Sequence, residues 1–129
     1  MKSEYVESLW ERAISTLAAA KETLAHHPDT SANRAYYSAF YAVSALFAAE
    51  DAFFKKHSGL RAAVHKELVF KGIWTKELGN DFDGLLELRE TADYGVLEHA
   101  SVEKAGFAVQ KAGRILKAVH DINPALFPL

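Results

Sequence analysis

Six side chains in this 129-residue sequence have the types and spacing to handle an anion: Arg34, Tyr37, His57, Arg89, Asp93 and Tyr94. Arg34 stands one turn before Tyr37 and Ser38 on a stretch that reads as helix, so a guanidinium and hydroxyls lie near one another. Arg89 follows Phe82, Leu85 and Leu86 at helical spacing, which lays its stem against the core. Asp93, four residues on, can reach that guanidinium, and a guanidinium held there unpaired would be costly. This pattern has two readings. An Arg89–Asp93 ion pair, with Arg34 in the same cluster, can simply hold the fold together. A guanidinium on a half-buried face beside Tyr94 and a loop can instead bind a phosphate. His57, beside Ser58-Gly59, can satisfy carbonyls at a helix end or move a proton near neutral pH.

Other chemistries lack their residues. No Gly-rich phosphate loop follows a strand, and no Gly-x-Ser-x-Gly elbow is present. The histidines are His26, His27, His57, His65, His99 and His120, and none stands in His-Glu-x-x-His or Glu-x-x-His spacing. No metal site and no cofactor is therefore expected. The aromatic run Tyr36, Tyr37, Phe40 and Tyr41 suits a core or a dimer interface better than a base-stacking platform.

Composition narrows the class further. Half of the residues are hydrophobic and a quarter charged, which excludes a disordered chain. Lys plus Arg number 15 against 17 Asp plus Glu, a net charge of −2, so a broad basic grip on nucleic acid is not expected. Cysteine is absent, which removes disulfides, thiolate metal sites and Cys nucleophiles. Met1-Lys2-Ser3-Glu4 leads into an amphipathic segment, not an apolar signal core. The most apolar stretch, Ala35 to Ala49, is fifteen residues long with Ser38 and Ser44 inside it, whereas a membrane span needs about 20. One soluble, cytoplasmic domain over residues 1–129 is the expectation.

The elements that must position these residues are helices. The three prolines are Pro28, Pro124 and Pro128, and alanine occurs 22 times, a bias toward helix over strand. Five segments are read. The first runs from about Ser3, as N-cap, to His26 or His27, with Val6, Leu9, Trp10, Ala13, Leu17, Ala20 and Leu24 as its stripe. The second opens at Asp29 or Thr30 and continues to about Lys55. It is apolar on two sides, hence central. A short third helix over Leu60 to Phe70 takes Ser58 as cap and ends at Lys71-Gly72. The fourth runs from Thr75 or Asp81 to Asp93 and stops at Gly95. Ser101 caps the last, which ends near Ile122 before Asn123-Pro124. Val102, Ala105, Val109, Ala112, Leu116 and Val119 line its inner face. Gly106 and Gly113 on that helix predict a close helix crossing. Long antiparallel helices with short connections make an all-α, up-down bundle.

Three blocks occur in order: Asn33-Arg34-Ala35-Tyr36-Tyr37-Ser38-Ala39-Phe40-Tyr41-Ala42, His57-Ser58-Gly59-Leu60, and Leu88-Arg89-Glu90-Thr91-Ala92-Asp93-Tyr94-Gly95. Together they resemble the HEPN domain family, specifically its small stand-alone prokaryotic branch, over nearly the whole chain. The resemblance implies a helical bundle that forms a homodimer and is often encoded beside a minimal nucleotidyltransferase. It implies metal-independent ribonuclease activity in some members, many of them toxins, and nucleotide binding or lost activity in others. The nucleotidyltransferase of such pairs can act as antitoxin by attaching AMP to a tyrosine near the active site. The family's nuclease motif is an Arg followed, after four to six residues, by a His. Arg89 matches the Arg, but Tyr94 stands where the His would be, and His99 comes too late. The resemblance thus implies a nucleotide- or RNA-phosphate-binding member of a two-gene system. Arg89 and Tyr94 occupy the catalytic positions, and Arg34, Tyr37, His57, Arg89 and Asp93 are its phosphate-binding candidates. The alternatives are a ribonuclease using Arg89 with Tyr94 or His57, and an inactive dimeric interaction module.

Overall fold

A computed structural model describes residues 2–95 and 97–129, and among them every regular element is helical. In chain order these are α1 (Lys2–Thr23), α2 (Pro28–Ala48), α3 (His57–Ala63), α4 (Lys76–Tyr94) and α5 (Val102–Ile122). α3 runs directly into a π-helical segment, Val64–Val69. The all-α bundle expected from composition and periodicity is the fold observed. α2 packs against α1, α4 and α5 at once, as its two apolar sides require. Tyr36 and Val43 from α2 meet Phe82 and Leu85 from α4, Ile115 and Leu116 from α5 and Val6 from α1 in one fully buried core. No helix among the described residues is long and apolar enough to cross a membrane.

Several ends fall where the sequence puts them. Thr75 and Ser101 each accept a hydrogen bond from the backbone N–H three residues on, at 3.2 and 3.0 Å, which satisfies an orphan donor of the first helical turn. Gly72 ends the π segment with φ +76°. Gly72 N–H bonds to Val69 O and Ile73 N–H to Leu68 O, the paired bonds of a Schellman cap.

Five expectations need correction. α1 stops at Thr23, and Ser3 lies inside it instead of capping it. α2 begins at Pro28 with His27 as N-cap and ends at Ala48, well before Lys55. Its end is a second Schellman cap, with Asp51 at φ +62° in the position glycine usually takes. Asp51 N–H bonds to Ala48 O and Ala52 N–H to Phe47 O. α3 starts at His57 with Lys56 as N-cap and no side-chain cap, so Ser58 is helical. Gly106 and Gly113 make no close crossing: a Cβ would meet only Leu24 at 4.0 Å from Gly106, and nothing within 4 Å of Gly113. The tight approach is between α1 and α2. There Ser31 Oγ donates to Ala20 O and Ser38 Oγ to Ala13 O, both at 2.7 Å. Val102, expected inward, is half exposed.

Candidate functional site

α2 and α4 run antiparallel, which brings the N-terminal half of α2 against the C-terminal half of α4. Arg89 projects from α4 into this contact with its side chain only 12% exposed. Its Nη2 donates to Tyr37 Oη at 3.0 Å and, more weakly, to Tyr94 Oη at 3.4 Å. The guanidinium carbon lies 5.4 Å from the centres of the Tyr37 and Tyr94 rings and 5.8 Å from that of Tyr36, within cation–π range of all three. Burial works against the charge of Arg89, but Tyr37, Tyr94 and Asp93 outweigh it and hold the guanidinium firmly protonated.

Asp93 closes the cluster from one turn along. Its Oδ2 lies 2.9 Å from Arg89 Nε. The N–H is not aimed at the carboxylate, so this contact is an ion pair and not a hydrogen bond. Buried Arg89 Nε–H has no acceptor in line among the described residues. Asn33 Nδ2 donates to both Asp93 oxygens, at 3.1 and 2.9 Å. The amide oxygen of Asn33 accepts from Arg34 Nε at 2.9 Å and from Arg34 Nη2. Arg34 is thereby laid over the Tyr37 ring, 5.4 Å from its centre. Arg34 reaches Asp93 through the Asn33 amide and not by an ion pair of its own.

His57 enters from the start of α3. Its Nδ1 lies 2.6 Å from Tyr36 Oη, and its ring packs among Tyr36, Tyr37 and Phe40, 4.9 Å from Phe40. Burial keeps the Tyr36 phenol neutral by pushing its pKa up. Burial, and then the Arg89 charge, push the His57 imidazole down from its ordinary value, so at neutral pH the ring is uncharged. The link from His57 to Arg89 runs through Tyr37, whose ring faces one and whose hydroxyl accepts from the other. His57 also borders a groove of about 570 Å³ with Arg61, His65 and Glu90.

Gly95 explains itself at this site. A Cβ there would sit 2.5 Å from Glu98 O and 2.6 Å from Thr91 O, so only glycine lets the chain fold back directly after Tyr94. Asp29, where the second helix was expected to open, lies in the first turn of α2 and holds residues 99 and 100. Its carboxylate accepts from Ala100 N–H at 2.6 Å and contacts His99 Nδ1 at 2.7 Å.

All six candidates, Arg34, Tyr37, His57, Arg89, Asp93 and Tyr94, thus lie in one contiguous cluster. Two residues in it escaped the sequence reading as site members: Asn33, which orients Asp93 and Arg34, and Tyr36, which holds His57. The signal for Asn33 was a polar amide preceding Arg34 on the central helix. Tyr36 gave none, because a core tyrosine and a histidine-holding tyrosine have the same periodicity.

The cluster can present an anion with a fixed positive charge and hydroxyl donors. Tyr37 and Tyr94 accept from Arg89, so each keeps its own O–H hydrogen for donation. Tyr94 is 70% exposed, which opens one flank of the site to solvent.

Comparison with known proteins adds three findings. Residues 6–122 match the family model described as the HEPN domain. A "UPF0332 protein" of Thermotoga maritima is 38% identical over 122 residues, which cover 94% of this chain and 92% of that protein. A protein of Methanocaldococcus jannaschii named "Putative toxin" is 31% identical over 107 residues, 82% of this chain and 73% of its own.

Proposed function

The chain belongs to the HEPN domain family, and from that premise we propose that it is the phosphate-binding component of a toxin–antitoxin-type pair with a minimal nucleotidyltransferase. It acts as a homodimeric single domain in the cytoplasm, and its ligand is a nucleotide or an RNA phosphate held at Arg89. The observation that carries this reading is the Arg89 guanidinium donating to two tyrosine hydroxyls that both retain a donor. Arg89 Nε, buried and ion-paired with Asp93, has no hydrogen-bond acceptor in line among the described residues. The relative named as a toxin supports the biological setting.

Tyr94 is the AMP acceptor in this reading. Its hydroxyl oxygen attacks the α-phosphorus of ATP, the bond to the β-phosphate oxygen breaks, and pyrophosphate leaves while the phenolic proton passes to solvent. Arg89, 3.4 Å from that oxygen, would favour the partly ionised phenol and the phosphoryl group that follows it. The test is intact mass after incubation with ATP and a minimal nucleotidyltransferase of the kind proposed as its partner. One added AMP is expected on wild type and none on Tyr94→Phe. No addition to wild type, or an equal addition to the variant, removes the assignment.

His57 favours a second reading, metal-independent ribonuclease activity. A neutral imidazole near Arg89 can take the proton from an RNA 2′-hydroxyl while Arg89 stabilises the charge developing on the phosphate. RNA cleavage in EDTA should then be lost by a factor of about 100 or more in Arg89→Ala and in His57→Ala, with both variants folded. Wild type that leaves RNA intact eliminates this reading and leaves binding.

A further inference from the structure

A second cleft opens on the other side of Phe40, between α1, α2 and residues 52–55. It encloses about 610 Å³, within the size range of small-molecule sites. Tyr5, Tyr41 and Phe53 supply aromatic walls, Arg12 and Lys55 supply two cations, and none of the chain's 17 acidic residues lines it. Tyr5 and Phe53 are 51% and 59% exposed, with ring centres 5.9 Å apart. The two rings form an exposed aromatic pair at the mouth of the cleft. The Arg12 guanidinium already lies 5.4 Å from the centre of the Tyr41 ring, so charge and π-face are presented together.

We propose that this cleft is a nucleobase subsite, in which a base of single-stranded RNA stacks on Tyr5, Tyr41 and Phe53 while an adjoining phosphate contacts Arg12 and Lys55. Flat rings beside cations, without carboxylates, match the two surfaces a nucleotide offers, a π-face and an anion. An acid-free lining in a chain of net charge −2 is the charge complementarity a phosphate needs. The cleft also adjoins the Arg89 site. Phe40 borders the cleft and packs on His57, and the Tyr41 ring lies 6.0 Å from Tyr37, the acceptor of Arg89. The proposal rests on the reading of Arg89 as a phosphate site insofar as the cleft holds a neighbouring nucleotide of the same strand.

The probe is a 5′-fluorescein-labelled 2′-O-methyl hexa-adenylate, which cannot be cleaved through its 2′-oxygen, titrated by anisotropy in EDTA. Phe53→Ala should weaken binding about tenfold through the lost stacking surface. Arg12→Gln should flatten the slope of log K against log salt by about 0.7, one phosphate contact on a single strand. Both residues are exposed, and melting curves establish that the variants fold. Cleft variants that bind like wild type, or a wild type that does not bind, overturn the proposal whatever Arg89→Gln does. Weakened cleft variants beside an unaffected Arg89→Gln support the cleft and count only against the Arg89 reading. If Phe53→Ala converts a dimer to a monomer in sedimentation, a second copy covers the cleft and the proposal fails.

Discussion

At His57 two influences act in the same direction. Burial and the neighbouring Arg89 both disfavour the imidazolium, against a smaller pull from Glu90. The folded chain therefore protonates this ring only at a pH below the ordinary 6.5, whereas the unfolded chain does so at 6.5. Between those two values the unfolded state holds more protons, so stability rises with pH through that window. The contribution of His57 is fully present above 6.5 and is lost as pH falls through the folded value. An NMR titration should show His57 below 6.5 in wild type and higher in Arg89→Gln, since the guanidinium's repulsion is gone. An unchanged titration would show that Arg89 does not act on this ring. That result would weaken the ribonuclease reading more than the binding reading, because only the former needs His57 tuned. The Tyr36 hydroxyl can donate to Nδ1 or accept from it, so it can accompany either neutral tautomer of His57.

Helix contacts decide which small residues matter. Ala13 and Ala20 on α1 face Ser38 and Ser31 on α2, each pair seven residues apart and matched in antiparallel order. The serine hydroxyls reach carbonyls of the facing helix only because the alanines opposite carry no bulk. Ala20 is wholly buried, so Ala20→Leu should overpack this crossing and lower stability by roughly 1–3 kcal/mol. Gly113 behaves in the opposite sense. A Cβ there meets nothing within 4 Å, and glycine in a helix interior costs about 1 kcal/mol relative to alanine. Gly113→Ala should therefore raise the stability in urea unfolding by roughly 0.5–1 kcal/mol. A loss instead of a gain would place another surface, such as a second copy, against that face of α5.

The whole molecule is closed by its last residues. Phe127 is 1% exposed and lies 5.3 Å from Trp10, ring centre to ring centre. Trp10 Nε1 donates to Pro128 O at 2.8 Å, and His120 Nδ1 lies 2.7 Å from Phe127 O. α1 and α5 are thus joined through this segment at the end of the bundle. Phe127→Ala should cost roughly 3–5 kcal/mol and shift Trp10 fluorescence to the red as water reaches the indole. A cost below about 1 kcal/mol would mean that the segment is not part of the core.

Helix identity was legible in the linear chain because it follows from local rules: proline placement, alanine content and an apolar period near 3.6 residues. The Ser101 cap was legible for the same reason, since a cap depends on residues within one turn, whereas the start of α4 was left between Thr75 and Asp81 and falls at the first. The α2 end was not, because Asp51 takes a backbone conformation that its residue type rarely signals. The close crossing was misplaced from alanine and serine to glycine, since which small residues meet depends on a partner helix. The site divides in the same way. The Arg89–Asp93 pair lies four residues apart on one helix and could be read directly. The arrival of Tyr37 and His57 beside it could not. Those residues stand 52 and 32 positions away, and only tertiary packing lays Tyr37 on the guanidinium and His57 on Tyr37.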